Sequence, residues 1–77
     1  MSEYNGHPTK AHWNVSLWLY NEERLYRLVQ EAVKVYPLSR KDAANHLLAV
    51  LPGETPDGVR YTYPTVYAAI EDEYQGK

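Results

Sequence analysis

The chain has 77 residues, with eight basic and ten acidic side chains and no cysteine. This length predicts a single domain over residues 1–77 with a narrow stability margin, because short chains bury a smaller share of their surface. The lack of cysteine excludes disulfides and thiolate metal sites. The formal charge of −2 is too mild to indicate a nucleic-acid binder. No signal peptide or membrane-spanning run is recognisable, so we expect a cytoplasmic protein without membrane contact.

The first predicted helix follows an irregular lead-in over residues 1–8. Thr9 is expected to cap it, and Trp13, Leu17 and Tyr20 then recur at helical spacing. Alternate residues from Trp13 onward are also apolar, which leaves a strand as the other interpretation. The cap and the length of the stripe favour a helix.

Asn21 is predicted to cap a second helix, because the two acidic residues that follow it suit the positive end of a helix. An apolar stripe of helical period comes next, and Pro37 ends the helix near Val35. Glu23 and Arg27 stand four residues apart in the order that favours an ion pair.

The second half of the chain predicts two more helices separated by a loop. Ser39 is expected to cap the third helix, which ends before Pro52 and Gly53. A Pro-Asp-Gly turn follows, and Pro64 suits the first turn of the last helix. The fold class is therefore mainly α, a compact bundle of about four short helices with an extended loop near residues 53–63. The expected core contains Trp13, Leu17, Leu25, Val29, Val33, Leu47, Leu48 and Ile70.

No pattern in the sequence indicates catalysis, a metal or a cofactor. The three histidines lack the helical spacing of a zinc pair. Ser39 is explained as a helix cap, and neither a Gly-rich elbow nor a phosphate cradle is present. We therefore expect no enzyme activity, no cofactor, and no binding of Zn²⁺ or nucleotides.

The densest charge feature is the acidic run at residues 71–73. One interpretation is a solvated helix face, and the other is a contact patch for the basic groove of a partner. Three tyrosines between residues 61 and 67 would anchor such an interface if they are exposed. In a chain with eight Tyr and no Phe, they are equally expected to close the core. The candidate partner-binding residues are Glu71, Asp72, Glu73, Tyr61, Tyr63 and Tyr67.

Three segments resemble a widespread family of short phage and prophage proteins. They are His-Trp-Asn-Val-Ser-Leu-Trp at 12–18, Asn-Glu-Glu-Arg-Leu-Tyr at 21–26 and Thr-Pro-Asp-Gly-Val-Arg at 55–60. In that family, a Trp-Asn-Val-x-Leu-Trp helix precedes an Asn-Asp/Glu-Glu-x-Leu-Tyr helix start, and a Thr-Pro-Asp-Gly-Val turn follows. His12 departs from the pattern, since such proteins usually carry Thr there.

The resemblance implies a phage or mobile-element origin, and it carries over a fold rather than an active site. Small acidic proteins of that origin often bind host machinery. We therefore expect an anti-CRISPR-like, anti-defence inhibitor in the host cytoplasm. It would bind a host protein or effector complex, such as a Cas complex, and block a nucleic-acid groove without contacting nucleic acid itself. The alternatives are a phage regulatory module that contacts nucleic acid or polymerase, and a structural accessory subunit.

Overall fold

The computed structural model describes residues 9–75 and confirms the mainly helical bundle. Within this range no strand forms, and only an isolated antiparallel bridge joins Glu54 and Arg60 in the expected extended loop. The expected lead-in at residues 1–8 lies outside the described residues. The elements are α1 (Lys10–Asn21), α2 (Glu23–Val35), α3 (Arg40–Val50), α4 (Tyr63–Ala69) and a 3-10 turn (Glu71–Glu73), named here the acidic turn.

Side-chain caps fix the starts of all four helices, and in three of them the cap is a short hydroxyl side chain that binds a free N–H group of the first turn. The Thr9 hydroxyl accepts a hydrogen bond from the His12 N–H at 3.1 Å, and the Ser39 hydroxyl accepts one from the Asp42 N–H at 3.1 Å. Both caps confirm the prediction. Thr62 caps α4 in a reciprocal capping box, with proline in the first turn.

The junction between α1 and α2 corrects the prediction that Asn21 caps α2. Asn21 is the last residue of α1, and its side chain donates to the Leu17 carbonyl at 2.9 Å. Glu22 is the cap, because its carboxylate accepts from the Arg24 N–H at 2.6 Å. Its own N–H donates to the Trp18 carbonyl at 3.2 Å, so one residue ends α1 and begins α2.

The helices form a closed ring in which each packs against the next and α4 returns to α1. Val29, Leu47 and Ile70 are fully buried, as predicted. On α1, however, the buried side chains are Asn14, Val15 and Leu19, whereas Trp13 and Leu17 are half-buried. The prediction of which face of α1 is buried is therefore wrong. This helix carries apolar residues on several sides, and their spacing does not indicate which side packs inward.

The last helix does not reach the acidic run, which the sequence offered as a solvated helix face. It ends at Ala69, and Ile70 then donates its N–H to the carbonyls of both Val66 and Ala68. The acidic residues therefore do not lie on the outer side of an α-helix. They form the separate 3-10 turn, which changes the directions in which their side chains leave the backbone.

Candidate protein-binding site

The three carboxylates of the acidic turn have different surroundings. The Glu71 carboxylate lies 3.9 Å from the guanidinium of Arg40. The Glu73 carboxylate accepts a hydrogen bond from the Tyr20 hydroxyl at 3.3 Å. Asp72 is exposed and makes no ion pair or side-chain hydrogen bond with any residue between 9 and 75. Asp72 therefore presents the least neutralised charge of the three.

Asp72 also borders a groove of about 270 Å³ that runs along α1, named here the α1 groove. The half-buried side chains of Trp13, Leu17 and Tyr20 line its α1 side, and Ala69 lies on the opposite side. The structure thus brings the acidic turn next to aromatic side chains. They belong to α1, and the sequence did not point to them as candidates.

Tyr20 connects the groove to the acidic turn. Burial raises the pKa of its hydroxyl well above the usual range, and the neighbouring carboxylates of Glu73 and Asp72 raise it further. The hydroxyl therefore stays protonated and continues to donate to Glu73. This hydrogen bond holds Glu73 in place, and Asp72 is left as the carboxylate of the turn that has no ion pair or side-chain hydrogen bond among residues 9–75.

Tyr61 is not an exposed anchor, which corrects one of the candidate positions. Its side chain is 7% exposed and belongs to the hydrophobic core. Tyr61 lies on the loop that precedes α4, between the exposed residues Arg60 and Thr62. The interpretation of Tyr61 as core closure is the one that the structure supports.

Tyr63 and Tyr67 are half-buried and pack against the core with their rings stacked, at a centroid separation of 5.3 Å. The Arg40 guanidinium lies 3.8 Å from the centre of the Tyr67 ring, and Arg40 Nε donates to the Tyr67 carbonyl at 2.8 Å. Because Arg40 also faces Glu71, it links Tyr67 to the acidic turn. A role for Tyr63 and Tyr67 in partner binding stays a prediction.

Sequence reasoning missed a polar cluster that joins α1 to the loop, named here the clasp (Asn14, Trp18, Thr55 and Asp57). The Asp57 carboxylate accepts from Asn14 Nδ2 at 2.8 Å and from Trp18 Nε1 at 2.9 Å. The Thr55 hydroxyl donates to Asn14 Oδ1 at 2.7 Å. The position of Asn14 among apolar residues was a signal of this cluster in the sequence, because a buried amide side chain requires hydrogen-bond partners.

The clasp also shapes the turn that carries it. The Thr55 hydroxyl accepts hydrogen bonds from the N–H groups of Asp57 and Val59, and Gly58 closes the turn with a positive φ of 86°. The hydrogen bonds from Asn14 and then Trp18 lower the pKa of the Asp57 carboxyl. The charged form of Asp57 is therefore the one that holds the loop against α1.

A family of unknown function, DUF7249, matches the chain over residues 1–75. The chain belongs to this family. No curated protein and no solved structure matches it. The DUF7249 match covers both the clasp and the acidic turn, and its description assigns no activity to either.

Two of the three histidines lie within the described residues, and neither belongs to the clasp or the acidic turn. His7 is outside the described residues, the His12 ring Nδ1 lies 2.8 Å from the Thr9 hydroxyl, and the His46 ring packs beside Tyr36. Between residues 9 and 75, no group of three or more metal-binding side chains is placed to hold an ion. In the same range, no helix has the length and apolar content needed to cross a membrane.

Proposed function

We propose that the chain is a small protein-binding inhibitor of mobile-element origin that acts in the host cytoplasm. Its target would be a host defence complex, such as a CRISPR–Cas effector, and it would occupy the basic groove in which that complex holds nucleic acid. The resemblance of the three sequence segments to phage proteins supports the origin. The observation that carries the binding proposal is Asp72, a carboxylate without a partner among residues 9–75, at the edge of the α1 groove.

The chemistry of this edge suits a basic partner. The acidic turn contributes three carboxylates, and only Glu71 faces a cation within the described part of the chain. An acidic surface of this kind speeds association with a basic groove and competes with the phosphates that the groove would otherwise hold. The rings of Trp13 and Tyr20 beside it are the side-chain types that supply most binding energy in interfaces. The blockade needs no chemical step.

A phage plaquing assay tests the proposal. The chain is expressed in bacterial strains that each carry one type of CRISPR–Cas system directed against a test phage. We expect the parent to restore plaquing in at least one strain and Asp72→Lys to abolish the effect. Glu31→Lys is the matched control, because Glu31 is an exposed acidic residue on α2 with no partner among the described residues.

Reversal of the charge at Glu71 or Glu73 would be harder to interpret. Glu71 faces Arg40, and Glu73 accepts from the Tyr20 hydroxyl, so both substitutions disturb contacts within the protein. Equal plaquing with Asp72→Lys and Glu31→Lys would contradict the role of the acidic turn. Failure of the parent in every strain, together with salt-sensitive binding of the purified protein to DNA, would favour a regulatory module instead.

A further inference from the structure

A second hollow, of about 400 Å³, lies between the start of α2 and the loop over residues 52–61, and we name it the α2 hollow. This volume falls within the range of small-ligand sites, roughly 300–1,000 Å³. The apolar part of its lining comes from Leu25, Pro52 and Pro56. The polar part of its lining comes from Glu22, Arg24, Glu54, Thr55 and Tyr61.

Tyr61 belongs to the lining of this hollow, and its hydroxyl is the unusual group beside it. It is buried, yet it has no hydrogen-bond partner among residues 9–75. Burial raises the pKa of the hydroxyl, and the negative charge of Glu22 raises it further. The group therefore stays protonated, and Tyr61 lines the same hollow as Glu22. Buried polar groups in native proteins are nearly always hydrogen-bonded, so this hydroxyl requires an explanation.

The charged groups of the α2 hollow favour a cation. The Glu54 side chain is exposed and makes no ion pair or hydrogen bond within residues 9–75. The Glu22 carboxylate caps α2 and lies 3.7 Å from Nε of Arg24, whose side chain is 89% exposed. Two carboxylates and one guanidinium therefore line the hollow, and the guanidinium of Arg24 extends into solvent.

We propose that the α2 hollow binds one arginine or lysine side chain of a partner protein. Long basic side chains pack their aliphatic stems on apolar surface while the charged head seeks polar groups. Here the stem lies against Leu25, Pro52 and Pro56, and the head donates to the Glu54 carboxylate and to the Tyr61 hydroxyl oxygen. Because that oxygen is almost inaccessible to water, the hollow opens slightly at its exposed loop residues when the side chain enters. This contact uses no residue of the α1 groove and does not depend on the inhibitory function.

An NMR titration of the isotopically labelled protein tests this proposal with capped pentapeptides that carry one variable residue between glycines. We expect peptides with arginine or lysine to shift the amide signals of residues 22–25 and 52–61 saturably. Peptides with norleucine or glutamate should leave them unchanged. Glu54→Gln should weaken the arginine peptide about tenfold, as expected for the loss of a charge-assisted hydrogen bond. Glu31→Gln serves as the control and should bind like the parent.

A second variant, Tyr61→Phe, keeps the proposal testable if the shifts are small. It removes the unpaired hydroxyl while the ring stays in the core, so we expect an unchanged or higher melting temperature and about three- to tenfold weaker binding of the arginine peptide. A clear fall in melting temperature would overturn the proposal, because the hydroxyl would then already have a partner in the free protein. Equal binding of the norleucine peptide would also overturn it. Asp72→Lys should leave the titration unchanged, which separates this site from the proposed inhibitor surface.

Discussion

Replacement of Asn14 by alanine tests the clasp most directly. The Asn14 side chain is 2% exposed, donates to Asp57 at 2.8 Å and accepts from the Thr55 hydroxyl at 2.7 Å. Asn14→Ala removes both hydrogen bonds. It also removes the acceptor of the Thr55 hydroxyl. Thr55 is only 4% exposed, so this hydroxyl would be left buried without an acceptor.

The expected loss follows from these contacts. A buried hydrogen bond contributes about 0.5–1.5 kcal/mol net, and a buried group that loses its partner costs about 1–3 kcal/mol. We expect Asn14→Ala to lower the free energy of unfolding by about 2–4 kcal/mol. For a chain of 77 residues the total is roughly 4–12 kcal/mol, so the variant loses a large part of its stability. The Thr55 hydroxyl still accepts from two N–H groups, so the turn keeps some of its order.

Urea denaturation followed by circular dichroism measures this loss. The control is Asn21→Ala on the same helix, because the Asn21 side chain is exposed and donates only to the Leu17 carbonyl. We expect the control to change the free energy of unfolding by no more than about 0.5 kcal/mol. If both variants unfold within about 0.5 kcal/mol of each other, Asn14 does not hold the loop as described.

Three further results are expected from measurements of stability. The pKa of the Asp57 carboxyl is lower in the folded protein than in the unfolded chain, so its charge stabilises the fold fully above the unfolded pKa of about 4, and this stabilisation is lost as the pH falls through the folded pKa. The melting temperatures of the parent and Asp57→Asn should therefore converge in acid. In urea, Leu19→Ala should lower the free energy of unfolding by about 2–5 kcal/mol and the half-buried Leu17→Ala by less, and equal losses would show that α1 is rotated. Tyr74→Phe should lower it by about 0.5–1.5 kcal/mol, because the hydroxyl donates to the Tyr36 carbonyl at 2.6 Å, and an unchanged midpoint would contradict that bond.

The sequence predicted the helices well where one apolar stripe and clear end signals agree. The second helix ends at Val35 before Pro37, and the third begins after Ser39, both as predicted. At the α1–α2 junction, Asn is in general preferred over Glu as a helix N-cap, and this preference pointed to Asn21. In the structure the last turn of α1 continues through Asn21. Glu22 caps the second helix because α1 extends one residue further than the local pattern indicates.

The candidate site was only partly predictable, because neutralisation of a charge depends on residues that are distant in the sequence. The acidic run is visible at residues 71–73, but the partners of its carboxylates, Tyr20 and Arg40, come from α1 and α3. The sequence therefore could not single out Asp72. The burial of Tyr61 follows the alternation of the loop, in which Val59, Tyr61 and Tyr63 alternate with the exposed Arg60 and Thr62. The sequence did not show what covers the apolar side, because this segment has no evident partner strand.

The residues of the three segments at 12–18, 21–26 and 55–60 are occupied in holding the fold. Asn14 and Trp18 of the first segment bind Asp57 of the third, and Glu22 of the second segment joins α1 to α2. A chain that shares these segments would share the clasp, whatever it binds. We therefore expect partner choice to be set outside them or at their edges, where Asp72 and Glu54 present carboxylates without partners in the described part of the chain. Substitution at these two positions should change binding with little loss of stability, whereas substitution in the clasp should reduce stability first and binding only as a consequence.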